Sequence, residues 1–232
     1  MMYKESGFYL SLAIGLALFA YIVGIEIVDF GNIYWLIDCP IICDAQQHLL
    51  GWLFFRETEI LQFPLLKNTS FGLYTGSSLI YTDSLPIFAI IFKFFNSFLE
   101  FQFQYFGLWV LTCFGLQAII ADKILKIYIN DNKFRAISII FFCISPIFLN
   151  KLFFSHLALA SHWIILLGLY VYLSKKFSLL KWLLLITLSA LVHGYYIGFI
   201  SIIFIMAIVK EYLQNKVSLR PAKTILFYFS YL

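Results

Sequence analysis

Long apolar segments separated by short basic connections constrain this chain more than any other feature. Of its 232 residues, 62% are hydrophobic and 12% are charged, whereas about a quarter of the residues in a soluble domain are charged. The composition therefore indicates an integral membrane protein and excludes the soluble fold classes. The net charge of +4 does not indicate a nucleic-acid partner, because the Lys and Arg side chains lie between the apolar segments, where they orient a membrane protein.

Six segments are apolar enough to be read as crossings of ~30 Å of hydrocarbon: 8–28, 105–125, 136–152, 157–173, 179–192 and 195–209. A seventh begins near Thr224 and is cut off by the chain end at Leu232, so we expect a chain truncated at its C-terminus. Residues 86–98 are also apolar, but Lys93 interrupts a run too short to cross, which favours an interfacial or re-entrant segment. The sequence thus predicts an all-α fold, a polytopic transmembrane helix bundle that forms a single domain over residues 1–232.

The basic residues predict the orientation of this bundle. If residues 86–98 do not cross, 12 of the 16 Lys and Arg residues fall on one side. The positive-inside rule makes that side, with the N-terminus, cytoplasmic. The long first loop, residues 29–104, is then extracytoplasmic, and most of the titratable groups suited to catalysis lie on its side of the membrane.

The first motif of this loop is the segment from Asp44 to Arg56, whose apolar positions recur with helical spacing. The pattern is typical of an amphipathic helix lying in the membrane surface. Asp44 has two interpretations. It can be the N-cap of this helix, with Gln47 completing a capping box, or a carboxylate held at the water–lipid boundary, where it acts as a base or a metal ligand.

The second motif runs from Tyr81 to Pro86. Asp83 or Ser84 can cap the short helix that Pro86 begins. Alternatively, the fold brings Asp83 and Asp44 together, and two carboxylates then bind a divalent metal or divide the roles of acid and base. Their spacing in the sequence does not decide between these readings.

Three histidines are predicted near the same side of the membrane. His156 and His162 are six residues apart, so on one helix they would not share a face, and two separate polar contacts are favoured over a metal pair. His193 precedes Gly194 at a tight turn. Each of the three can line an outer cavity. Five aromatic residues can stack on a sugar or anchor the chain at the interface: Trp52, Tyr74, Tyr81, Tyr105 and Trp109.

Several stretches together resemble an uncharacterised family of bacterial polytopic membrane proteins, a domain of unknown function. They are the segments 44–56, 76–86, 103–109 with Leu116-Gln117, and 161–163. The resemblance covers roughly residues 7–230. That family in turn is similar to the GT-C class of glycosyltransferases, although GT-C enzymes usually have more spans and often a soluble outer domain.

The GT-C resemblance implies a chemistry and a place for it. Such enzymes take a sugar from a polyprenyl-phosphate donor at the outer face of the bacterial inner membrane, and an acidic residue lies near the start of their first outer loop. Asp44 has that position, and Asp83 lies at the far end of the loop. A carboxylate would deprotonate the acceptor or hold a divalent metal, Mg or Mn. The expected substrate-binding residues are Gln47, His48, Arg56, His156, His162 and His193.

A second function class stays open. The chain can instead be a non-enzymatic membrane component for transport or assembly of an envelope polysaccharide, and a purely structural role would leave Asp44 and Asp83 as helix caps. An outward-facing cavity where both carboxylates converge favours the transferase. A continuous polar path across the spans favours transport.

Overall fold

The fold, a computed structural model, is described for residues 2–38, 44–72, 75–174 and 176–214 and is mostly helical. Its ten α-helices within these ranges are α1 Met2–Ile22, α2 Tyr34–Ile37, α3 Asp44–Arg56, α4 Pro86–Phe94, α5 Phe106–Leu125, α6 Asn132–Cys143, α7 Pro146–Phe153, α8 Trp163–Leu173, α9 Leu179–Val192 and α10 Gly194–Leu213. Two short strands, β1 Lys67–Asn68 and β2 Ser77–Ser78, pair antiparallel.

Three stretches of helix within the described ranges are long and apolar enough to cross a membrane. They are α5, α10 and residues 132–153, which comprise α6 and α7 together. Three shorter apolar helices accompany them, at Gly7–Ile22, Trp163–Leu173 and Leu179–Val192. The predicted helices at 105–125, 179–192 and 195–209 are confirmed as helices, whereas the predicted segment at 224–232 lies outside the described residues.

Helix α5 lies at the centre of the bundle, where it packs against α1, α6 and α8, while α10 packs against α8 and α9. Because a helix rises 1.5 Å per residue, α5 separates two ends of the bundle by about 30 Å. Its first residue, Phe106, stacks on His48 at one end. We call this end, which also carries α3 and α4, the histidine end.

At the other end Asp122 of α5 joins two cations. Lys126 Nζ lies 2.6 Å from Asp122 Oδ2, and Arg135 Nε lies 3.0 Å from Oδ1. Asp122 and Arg135 are both buried. Since a buried charge is stable only when it is paired and hydrogen-bonded, this cluster fixes the start of α6 against the end of α5.

Three predicted spans differ from single helices. In the segment predicted at 8–28, α1 ends at Ile22, Gly24 follows with a φ of 94°, and Glu26–Val28 forms a separate 3-10 turn. The segment predicted at 136–152 is split into α6 and α7 at Ser145, because Pro146 lacks the N–H that would continue the helix. The prediction of a helix from residue 157 is wrong for its first turns. Residues 154–162 form turns instead, and α8 begins only at Trp163. The buried indole of Trp109 donates to the Leu157 carbonyl at 3.0 Å and holds these turns against α5.

Helix α3 has the predicted bounds, but protein covers more of it than expected. Its positions Trp52 and Phe55 are fully buried, and only Leu50 and Phe54 are apolar and exposed. Trp52, Tyr105 and Trp109 are buried core residues, and their rings pack edge-on or stacked against other aromatic rings. These three rings are therefore not available to stack on a sugar. Tyr81 is exposed, and Tyr74 lies outside the described residues.

A buried lysine lies where α3 and α4 meet. Lys93 Nζ donates to Thr58 Oγ1 at 2.5 Å and lies 4.0 Å from the centre of the Phe55 ring. Its side chain forms no ion pair within the described residues. Burial lowers the pKa of Lys93 from 10.5 to about 8.

Stability is therefore expected to rise with pH above about 8. Between about 8 and 10.5 the unfolded chain keeps a proton on Lys93 that the folded protein has released, so the free energy of unfolding increases by at most about 1.4 kcal/mol per pH unit. The Lys93→Met variant should lack this increment when thermal unfolding in detergent is compared across that window. Exposed Lys181→Met is the control, and equal slopes for Lys93→Met and the unmodified protein would contradict the assignment.

Candidate functional site: two histidine–aspartate pairs

Helix α3 and the turn before α4 form the base of the candidate site. The Gln47 amide donates to the Tyr81 carbonyl at 2.7 Å, and the Ser84 hydroxyl donates to the His48 carbonyl at 2.7 Å. Gly51 lets the two backbones approach, because a Cβ atom there would lie 2.1 Å from Thr82 Oγ1. The Gln47 side chain thus joins the two parts of the loop.

The first pair joins Asp44, at the start of α3, to His156 in the turns between α7 and α8. Asp44 Oδ2 and His156 Nδ1 form a short hydrogen bond, which counts as an ion pair when the imidazole is protonated. The side chains are 41% and 37% exposed, so water or a substrate can reach them. His156 Nε2 makes no hydrogen bond to any described residue and is free to accept a proton.

The second pair joins Asp83 to His193, at the turn between α9 and α10. Asp83 Oδ1 lies 3.1 Å from His193 Nε2, and His193 Nδ1 accepts from the Tyr195 backbone N–H at 3.1 Å. Since Nδ1 is an acceptor, the proton of the neutral ring is assigned to Nε2, which faces the Asp83 carboxylate. The prediction of a tight turn at His193 is confirmed.

His48 lies between the two pairs and is buried. Its Nδ1 is 2.8 Å from the Thr82 carbonyl oxygen and its Nε2 is 3.0 Å from that of Ser155. Burial lowers the pKa of His48, although both carbonyls and the negative charges of Asp83 and Asp44 oppose this shift. Both carboxylates are therefore close enough to act on one imidazole. His48 has no free ring nitrogen and connects the turns that carry the pairs.

Backbone strain is concentrated at this site. Among the described residues, three that are not glycine have a positive φ: Asp83 at 50°, Leu85 at 53° and Ser155 at 61°. Two flank Ser84, and the third precedes His156. A left-handed conformation costs roughly 1–2 kcal/mol for a residue with a side chain, and such strain is found preferentially at functional sites.

Three sequence predictions need correction. Neither Asp83 nor Ser84 caps α4, because Leu85 is the N-cap residue and makes no side-chain cap. His156 and His162 are not on one helix. Arg56 is buried at the far end of α3, where its guanidinium donates to Asn96 and to the carbonyls of residues 99–101. These bonds occupy each of its nitrogens, so Arg56 holds the chain before α5 instead of facing the pairs.

The structure leaves His162 apart from the two pairs. Its ring contacts Phe148 of α7, and it lines a separate cavity. In the described ranges, no three His, Cys, Asp or Glu side chains form a group that could hold a metal ion. Asp44 and Asp83, the residues expected to hold one, each face an imidazole.

The conformation of Asp83 gives a test of its role. Asn tolerates the left-handed conformation and keeps a polar side chain facing His193, whereas Ala keeps the strain and loses the contact. We expect Asp83→Asn to unfold close to the unmodified protein and Asp83→Ala to lose about 1–2 kcal/mol. Thermal unfolding in detergent measures both variants. If Asp83→Ala is as stable as Asp83→Asn and the unmodified protein, neither the conformation nor the contact contributes to stability.

Comparison with known proteins supplies the family and nothing beyond it. No curated protein and no solved structure matches the chain. A family model described as a domain of unknown function, DUF6311, matches residues 12–232, which include all the residues of both pairs. The chain therefore belongs to the DUF6311 family.

Proposed function

We propose that this protein is a membrane glycosyltransferase of GT-C type, which transfers a sugar from a polyprenyl-phosphate carrier to an acceptor hydroxyl. The observation that carries the proposal is the Asp44–His156 pair, an accessible base whose imidazole is oriented by a carboxylate. A second carboxylate, Asp83, is nearby, because both Asp83 and Asp44 lie close enough to the buried His48 to act on it electrostatically. The arrangement supports proton transfer at a surface site beside apolar helices.

We place the histidine end on the outer face of the bacterial inner membrane, with the N-terminus in the cytoplasm. The cations Lys126 and Arg135 lie at the opposite end, which the positive-inside rule makes cytoplasmic. With this orientation, the loop 29–104 of the polytopic bundle lies on the outer side of the membrane. A carrier lipid in the outer leaflet then reaches the site from the side, and a water-soluble acceptor reaches it from above.

The proposed step is a substitution at the anomeric carbon of the donor. The acceptor oxygen forms the new bond to that carbon while the bond to the phosphate oxygen breaks, and the electron pair leaves with the carrier phosphate. The acceptor proton passes to His156 Nε2. Asp44 holds the imidazole in the orientation that accepts the proton and stabilises the imidazolium, and general-base catalysis of this kind contributes roughly 10²–10⁴-fold.

Asp83 and His193 are proposed to bind the sugar. The Asp83 carboxylate has one oxygen facing His193 Nε2, and its second oxygen can accept from a donor-sugar hydroxyl. Gln47 and His48 support this side of the site, because they fix the turn that carries Asp83. Gln47 and His48, which were expected to bind the substrate, are therefore proposed to position Asp83 instead.

The test is transfer by the purified full-length protein. Polyprenyl-phosphate donors with different radiolabelled sugars are reconstituted with the protein and a crude envelope-glycan acceptor fraction. The proposal expects labelled product that needs both Asp44 and His156, with each single variant losing a similar factor because the two residues act as a unit. If no donor yields product while the protein instead moves a labelled lipid or glycan between leaflets, the transport alternative takes its place.

A further inference from the structure

A separate cavity of about 490 Å³ lies beside the turns that carry His156. It is bounded by α5, α6, α7, α8 and α10. Most of its lining is apolar, from Phe142, Ile147, Leu159, Ile165, Leu166 and Phe199. The two histidine–aspartate pairs do not line it, so the proposed chemistry leaves it without a role.

The rim of the cavity faces the surroundings of the bundle. Ile147 of α7 and Tyr195 of α10 are each 68% exposed, and both line the cavity. These helices belong to stretches long and apolar enough to cross a membrane. An opening framed by exposed apolar side chains on such helices is suited to a hydrocarbon chain entering from the bilayer.

Two basic side chains lie in this apolar lining. Lys151 is half-buried, and its ammonium makes no ion pair and no hydrogen bond to any described residue. It is close enough to act electrostatically on the His162 imidazole, which also lines the cavity. A half-buried cation without an anionic partner is unfavourable. The cavity is therefore suited to a ligand that carries a negative charge next to Lys151.

One further polar group marks the cavity. Gln117 of α5 is buried, and its Nε2 donates to the Phe142 carbonyl at 3.3 Å, while its Oε1 has no partner among the described residues. Buried polar atoms without a partner are rare in a packed core. Gln117 lines the cavity together with Lys151, and this supports a binding cavity over a packing defect.

From these features we infer that the cavity binds a long-chain lipid phosphate, whose phosphate lies on Lys151 and His162 and whose chain follows the apolar lining. The inference rests on the proposed function, because it identifies this lipid with the carrier of the donor sugar. His162 and His156 belong to the same set of turns, and the inference places the sugar of the bound lipid on the side of the Asp44–His156 pair. His162 therefore binds the substrate without taking part in proton transfer.

The experiment uses a diazirine analogue of polyprenyl phosphate with the full-length protein in phosphatidylcholine nanodiscs. We expect crosslinks at the cavity lining, with competition by unlabelled polyprenyl phosphate but not by the uncharged polyprenol. Lys151→Gln should weaken binding at least about 10-fold, since it removes a charged contact, and Lys151→Arg should restore most of it. Ile165→Trp should block the chain, and exposed Lys67→Gln is the matched control.

Wild-type binding by both Lys151→Gln and Ile165→Trp, or crosslinks away from the lining, would overturn the inference. Equal competition by phosphatidylglycerol would also overturn it, because the cavity would then take any anionic lipid. Sugar transfer measured on the same variants separates the two proposals. Lys151-dependent binding without transfer contradicts only the proposed function, whereas transfer that Lys151→Gln leaves unchanged contradicts only the lipid site.

Discussion

Asp44→Asn is expected to lower the rate of sugar transfer by roughly 10²–10⁴-fold, the contribution of a general base, while the protein stays folded. The amide keeps the shape of the carboxylate and can still contact His156, but it carries no charge to stabilise the imidazolium. The rate is measured with saturating donor and acceptor, so that loss of binding does not appear as loss of chemistry. Thermal unfolding of the same sample reports on the fold.

Glu59→Gln is the control for this substitution. Glu59 is an exposed carboxylate on the same side of the bundle and takes no part in either pair, so its neutralisation should leave the transfer rate unchanged. If Asp44→Asn retains the full rate, Asp44 does not assist proton transfer to His156, and the proposed role of the pair is wrong. If Glu59→Gln loses as much as Asp44→Asn, the effect comes from surface charge and not from the pair.

Gly51→Ala is expected to have the largest effect on stability and to disable the site as well. The added Cβ would lie 2.1 Å from Thr82 Oγ1 and 2.4 Å from Ser84 Oγ, both in a turn already fixed by hydrogen bonds. Overpacking of this kind costs typically about 1–3 kcal/mol. It should also move α3 from the turn that carries Asp83, so both the unfolding temperature and the transfer rate should fall.

Gly198→Ala provides the matched comparison within a helix. A Cβ at Gly198 would meet nothing within 4 Å, and Ala favours a helix by about 1 kcal/mol over Gly. Its unfolding temperature should therefore stay equal or rise. A Gly51→Ala protein as stable as Gly198→Ala would show that α3 does not pack closely against residues 82–84.

The sequence was sufficient to predict much of the helical framework. Helix α3 occurs at the predicted bounds, and α9 matches residues 179–192, because apolar periodicity and turn residues act over neighbouring positions. The prediction was wrong at residues 157–162, where apolar composition indicated helix but the chain turns. There a contact with a distant residue, the Trp109 indole bonded to Leu157, holds the backbone in another conformation.

The site itself could be predicted only as a set of candidate residues. Asp44, Asp83, His156 and His193 were all singled out, but their partners were not, since His156 and Asp44 are 112 residues apart in the chain. Local rules favoured helix capping for Asp83, yet the backbone there turns left-handed and directs the carboxylate to His193. Sequence patterns also did not indicate that His48 is buried or that Lys151 and His162 share an apolar cavity.

Transfer in sealed, right-side-out membrane vesicles tests the central claim most directly. Donor lipid is incorporated into the outer leaflet, and acceptor is added outside to vesicles that contain either the unmodified protein or Asp44→Asn. The account predicts product outside the vesicles from the unmodified protein and none above background from Asp44→Asn. Equal product from both proteins, or product only when the vesicles are inverted, would contradict a transferase site formed by the Asp44–His156 pair on the outer face.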